Sequence, residues 1–260
     1  MSAIWICGNS FTVQDNDWNT WIKQITDRND YNPAYLSIGN SSLDYIYETF
    51  NNFRSYVEEG DVIILAVTDT NRRWFIRHEP DNAVFRSVTR DDEVGDAMNM
   101  YLQHLDNLTV FETYLENFLH NLNNFSKKKN VHTILIPCFE HVDEIINNPQ
   151  YKKRFESLHI AEGNLMVLSR NEFQPGEFLA SGILRTTFDP RANHLMRTNH
   201  NIMADKLQEN IKHKTPITLK TGFVENILNR TVMDESEFAV KEQFGNTLTE
   251  IQKVVLNIYT

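Results

Sequence analysis

Four short, nearly unbroken apolar runs punctuate the chain, at residues 3–7, 34–38, 62–67 and 131–137. Each is too short for a helix and several are bounded by Gly, Asn or Pro, so they predict buried β-strands. Between them the apolar positions change period. Over 44–59, Tyr45, Ile46, Phe50, Phe53 and Val57 fall near one helical face, and over 105–125 Leu105, Leu108, Phe111, Leu115, Phe118, Leu119, Leu122 and Phe125 do the same. Strands with no polar face, alternating with amphipathic helices, predict a mainly parallel sheet covered on both sides, that is, a three-layer α/β/α sandwich. A fifth strand is expected at 164–169 and a further helix at 198–211. Residues 70–107 are charged, with Asp91-Asp92-Glu93, and read as an insertion over the edge of the sheet. After Pro216 the periodicity fades until 235–259, which is helical in spacing but interrupted by Gly245. The reading is therefore an α/β domain over 1–213 and a C-terminal helical extension over 214–260. That extension either packs back on the domain or offers a contact to a protein partner or a second copy.

With 260 residues, 41% of them hydrophobic and 23% charged, the composition is that of a globular chain able to bury a large core without staples, and it excludes disorder, collagen and coiled coil. A net charge of −10 excludes a general electrostatic attraction to nucleic acid or to an anionic membrane. Cys7 and Cys138 both lie in apolar runs and read as packed thiols suited to a reducing compartment. The start, Met1-Ser2-Ala3-Ile4-Trp5-Ile6-Cys7, lacks the basic and long apolar regions of a signal peptide, and no window is long enough to span a bilayer, so a cytoplasmic location is expected. His194 and His200 are six apart, not at the i, i+4 spacing of a helical zinc pair, and neither cysteine has a CxxC partner, so no metal or cofactor is expected.

In a parallel sheet, ligands bind beyond the carboxyl ends of the strands, so the loops there carry the chemistry. The first strand runs into Gly8-Asn9-Ser10-Phe11, which puts a hydroxyl at the top of the sheet. Ser10 is there either a nucleophile, its own N–H helping to hold an oxyanion, or an N-cap. The second strand ends in Ser37-Ile38-Gly39-Asn40-Ser41-Ser42, where the Gly39 N–H is a candidate oxyanion donor and Ser41 or Ser42 a candidate helix cap. The third ends in Thr68-Asp69-Thr70-Asn71-Arg72-Arg73, a polar cluster at the same edge. Late in the chain, Asp189 through His200 lead into a helix. A histidine on that loop can reach over the sheet to take a serine proton, whereas His200 reads as a helix-start or structural residue. A phosphate binder built on Gly8 to Ser10 with Arg72-Arg73 is a further alternative, without a GxGxxG or P-loop lysine to back it.

Taken in order, these pieces resemble the SGNH (GDSL) hydrolase family. Gly8-Asn9-Ser10-Phe11 is similar to its Gly-Asp-Ser block, Gly39-Asn40 to its second block, and His194, six residues before His200, to the histidine of its last block. The resemblance spans about residues 3–212 and implies a flavodoxin-like sheet. It implies Ser10 as nucleophile, His194 as base, and Gly39, Asn40, Thr68 and Asn71 around the oxyanion or substrate. The substrate would be a small-molecule or carbohydrate ester. Three positions depart from the pattern: Asn9 replaces an Asp, Ala66-Val67-Thr68-Asp69 replaces Gly-x-Asn-Asp, and Arg191 stands where the family has its acid, leaving Asp189 as the nearest carboxylate. A fold that keeps this architecture as a binding or assembly module, with weak or lost chemistry, is the competing reading.

Overall fold

The computed structural model describes residues 2–13, 20–29, 31–39, 41–68, 72–74, 83–85, 108–171, 195 and 197–225, the backbone alone at 72–74, 83–85, 108, 109, 170 and 197. The strands are β1 (Ala3–Cys7), β2 (Asn32–Tyr35), β3 (Val62–Val67), β4 (Arg72–Trp74), β5 (Ala83–Phe85), β6 (His132–Pro137) and β7 (Leu158–Ile160). The helices are α1 (Trp21–Asn29), α2 (Leu43–Phe53), α3 (Leu108–Lys129), α4 (Glu140–Ile146), α5 (Pro149–Arg154), α6 (Leu165–Asn171) and α7 (Arg197–His213), with a 3-10 turn at Ser10–Thr12.

Five strands form one all-parallel sheet in the order β2-β1-β3-β6-β7. This is the expected α/β fold. The two central strands, β3 and β6, are buried at every residue, because a strand covered on both faces has no polar side to offer. Alternate residues feed two cores. Ile4, Ile6, Ile64, Ala66, Ile134, Ile136 and Cys138 meet Trp21, Ile22 and Ile25 of α1 and Met203, Ala204 and Leu207 of α7. On the other face Cys7, Ile63, Leu65, Val67 and Leu135 meet Phe50 of α2, Phe118 and Leu122 of α3, and Val142 of α4. The two cysteines are free, buried and in separate cores, as packed thiols should be.

Several boundaries differ from expectation for identifiable reasons. The second strand begins at Asn32 rather than at residue 34 and is half exposed, because β2 is an edge strand; its Pro33, which lacks an N–H, is tolerated there. Residues 164–169, expected as the fifth strand, are the first part of α6 instead. Asn164 caps that helix by accepting from the Val167 N–H at 2.8 Å, and Leu165 and Leu168 are buried on one side while Val167 is exposed. The fifth strand is β7, three residues long and expected nowhere. Within 70–107 the described residues are β4 and β5, a two-stranded antiparallel ribbon.

The first residues beyond 213 pack on the domain, one of the two outcomes expected for the extension. Residues 214–225 contain no helix; Glu162 and Thr218 form a parallel bridge beside the end of β7, and Ile217 and Leu219 enter the core with α1 and α7. Asn199 of α7 holds this segment by donating to the Val224 carbonyl and accepting the Val224 N–H, each at 2.8 Å. The helix expected at 235–259 lies outside the described residues, as does any contact it makes. No described helix is long and apolar enough to cross a membrane.

Candidate functional site

The strand order reverses between β1 and β3: the chain leaves β1 for β2 on one side and later returns to β3 on the other. In open parallel sheets that reversal opens a crevice at the carboxyl ends of the strands, because the helices that follow lie on opposite faces. Ser10 stands there, three residues beyond Cys7, as the first residue of the 3-10 turn.

The turn is held from several sides. Gly8 is required by packing: a Cβ on it would lie 2.5 Å from the Thr12 hydroxyl oxygen and 2.7 Å from the Cβ of Ala66 on β3. The Asn9 side chain, fully buried, accepts the Phe11 N–H at 3.0 Å and donates its amide to Thr68 Oγ1 at 3.3 Å, while the Cys138 thiol donates to Asn9 Oδ1 at 3.6 Å. The capping role weighed for Ser10 thus belongs to Asn9. Thr12 accepts nothing from Asn9 but donates both its N–H and its hydroxyl to the Asn9 carbonyl, each at 2.9 Å. The Gly8 carbonyl in turn receives the Ser41 hydroxyl at 2.8 Å and the Ile38 N–H at 3.3 Å, which ties the loop after β2 to the loop after β1.

The expected site residues divide accordingly. Ser10 is half-buried, and Gly39 is exposed, with none of the described residues within 4 Å of where a Cβ would sit. Thr68 is fully buried, and its hydroxyl oxygen accepts from the Asn9 amide, which braces the Ser10 turn. Ser42 is the N-cap of α2, accepting the Tyr45 N–H at 3.2 Å. Asn40, Asn71, Asp189 and His194 lie outside the described residues. The residue after His194, Leu195, is fully buried in the core that also contains Phe11, Ile6 and Trp21. His200 is buried, and its Nδ1 accepts the Trp21 N–H at 3.2 Å, which makes it a link between the first turns of α1 and α7, in keeping with a structural role.

Sequence reasoning missed Ser41 as a tie, Cys138 as a donor and Phe139 as a wall. The order Ser41-Ser42 signalled one cap but could not tell which hydroxyl would turn back to β1. Phe139, just past β6, meets Phe11 edge to face at 6.4 Å between ring centres. Beyond it lies a hollow of about 350 Å³ bounded by Phe139, His141, Glu144, Met166 and Val167. Burial pushes the Cys7 thiol up to about 12, so it stays protonated and is no rival nucleophile. Among the described residues no group of three His, Cys, Asp or Glu side chains is placed to hold a metal ion.

These features define a doubly wound α/β protein with Ser10 at its switch point. Among solved structures the chain is similar to the crystal structure of protein YxiM from Bacillus subtilis, at 13% identity and a TM-score of 0.43, over 82% of this chain and 57% of that one. This chain thus spans little more than half the length of that relative. No protein-family model and no curated protein matches the chain.

Proposed function

We propose that the chain is a serine ester hydrolase whose nucleophile is Ser10. The observation that carries this reading is the position of Ser10 at the switch point, on a turn held by Gly8, Asn9 and Thr68 and tied to the Gly39 loop through the Gly8 carbonyl. In the proposed reaction, Ser10 Oγ attacks the ester carbonyl as His194 takes its proton. The tetrahedral oxyanion is held by the N–H groups of Ser10 and Gly39, with Asn71 or Asn40 as side-chain donor. Collapse breaks the ester C–O bond, His194 returns the proton to the departing alcohol, and water repeats the sequence on the acyl-serine to release the acid. Asp189 or a backbone carbonyl orients the imidazole.

Three features support the arrangement. Leu195 anchors the chain next to His194 in the same core as Phe11. The exposed surface at Gly39 leaves room for substrate, and the hollow beyond Phe139 offers space for the acyl or alcohol part of a small or carbohydrate ester. One observation favours the competing reading of a weakly active binding module on the same fold: the Thr68 hydroxyl is fully buried and engaged with Asn9. Loss of one oxyanion donor costs roughly 10²-fold or more in turnover, so a slow enzyme is expected. Hydrolysis of a short acyl ester, followed in the wild type and in His194→Ala and Asp189→Asn, separates the two. A slow wild-type rate that falls by roughly 10³-fold or more in His194→Ala supports the hydrolase; equal rates in all three support the binding module.

A further inference from the structure

At the opposite end of the sheet, where the strands begin, the structure holds a second polar hollow unrelated to the crevice. It measures about 520 Å³, and its lining includes Asp61, Lys127, His132, Ser157, His159 and Lys214. A chain of hydrogen bonds organises its wall. The Asn210 amide nitrogen donates to the Thr215 carbonyl at 2.6 Å, which fixes the orientation of that amide. Its oxygen, at 2.8 Å from His132 Nε2, must then accept, so His132 carries its proton on Nε2 and presents a lone pair on Nδ1 to the Lys214 ammonium. The same Asn210 nitrogen approaches His159 Nδ1 at 3.3 Å and can only donate, so His159 carries its proton on Nε2.

Both imidazoles are therefore neutral donors of fixed orientation, their rings 4.1 Å apart. An ammonium has three N–H groups; that of Lys214 gives one to His132, and among the described residues no carboxylate pairs with it. Lys127 lies 3.8 Å from Glu156, an exposed pair that water screens. The Asp61 carboxylate also lines the hollow and keeps its negative charge, but its oxygens are taken up by the Ala3 N–H, the Trp5 indole and the Glu58 N–H at 2.7, 3.0 and 3.0 Å. Lys214 also has φ 57°, a left-handed conformation uncommon outside glycine, which ends α7 and brings this side chain back to His132.

We infer that this hollow binds the phosphate group of a small molecule, held by the ammonium groups of Lys214 and Lys127 and by the His159 N–H. Two ammonium groups in the lining outnumber the one Asp61 carboxylate, and with the His159 donor they suit an anion with several acceptor oxygens; in a chain of net charge −10 such an excess of positive charge is not a property of the surface at large.

The test is a calorimetric titration of the full-length protein with inorganic phosphate at neutral pH, accompanied by imidazole nitrogen shifts of His159. Saturable binding with a shift at His159, weakened about tenfold or more in Lys214→Gln and in Lys127→Gln, is the expected result. Both variants should keep the wild-type circular dichroism, and Lys127→Gln, on an exposed helix end, guards against a folding defect in the other. Absence of saturable binding, or equal affinity in the wild type and Lys127→Gln with no shift at His159, overturns the inference. Ester hydrolysis is not the readout, so the outcome is independent of the fate of Ser10.

Discussion

A methyl group added at Gly8 would collide with Thr12 and Ala66, whereas one added at Gly39 would meet none of the described residues within 4 Å. The two glycines therefore have different reasons to be small. Gly8 lets the turn that carries Ser10 press onto β3, and Gly39 leaves the crevice open without any demand from the fold. Gly8→Ala is expected to destabilise the protein by about 1–3 kcal/mol, and Gly39→Ala by less than about 0.5 kcal/mol, both read from urea unfolding. If the Gly39 N–H faces substrate, the second variant should still raise KM for ester. Equal loss of stability in the two would contradict this assignment. Asn9 follows the same logic at a polar position: buried without exposure, it satisfies both ends of its amide through Phe11, Thr68 and Cys138. An aspartate there could accept from Phe11 but could not donate to Thr68, so the departure at this position rewires the turn while keeping its shape.

At the level of elements, His132 of β6, His159 of β7 and Asn210 of α7 join the sheet to its last helix through a network that works only with neutral imidazoles. Burial, the foremost cause, together with His159 and Lys214 lowers the pKa of His132 to about 4, against a smaller opposing effect of its bond to Asn210. Burial also lowers that of His159, assisted by Lys214. Between pH 6.5, the ordinary value, and pH 4 the unfolded chain then binds the more protons, so stability rises with pH across that window. Melting temperature should fall steadily as pH drops from 6.5 toward 4, with His132 contributing up to about 3 kcal/mol and His132→Gln flattening the slope. A slope unchanged in that variant would contradict the neutral network.

How far elements were legible follows the same physics. Central strand β3 is an unbroken apolar run and β6 carries Ile134, Leu135 and Ile136 in succession, too short for a helix and with no polar face. The short run at 164–169 has no periodicity to separate a buried helix from a strand, and the Asn164 cap that decides it is a local bond. Strand β7 is three residues long with a histidine in the middle, and only its pairing with β6 makes it a strand. The phosphate hollow was illegible because its parts are separated by tens of residues and meet only through the sheet.

At the scale of the molecule, the sheet order β2-β1-β3-β6-β7 places the end of β1 at the switch point, and that one topological fact turns a Gly-Asn-Ser turn into a candidate catalytic site. The serine and its glycine loop were legible in sequence because they follow strand ends at once; the pairing of Asn9 with Thr68 was not, since a side chain's direction depends on packing. The two hollows, one beyond Phe139 and one at Lys214, sit at opposite ends of the strands. Treatment of the intact protein with a fluorophosphonate probe, followed by peptide mass analysis, tests the central claim most directly. The account predicts one phosphonyl adduct, on Ser10, absent in Ser10→Ala and strongly slowed in His194→Ala; a wild-type protein that acquires no adduct on Ser10 would contradict it.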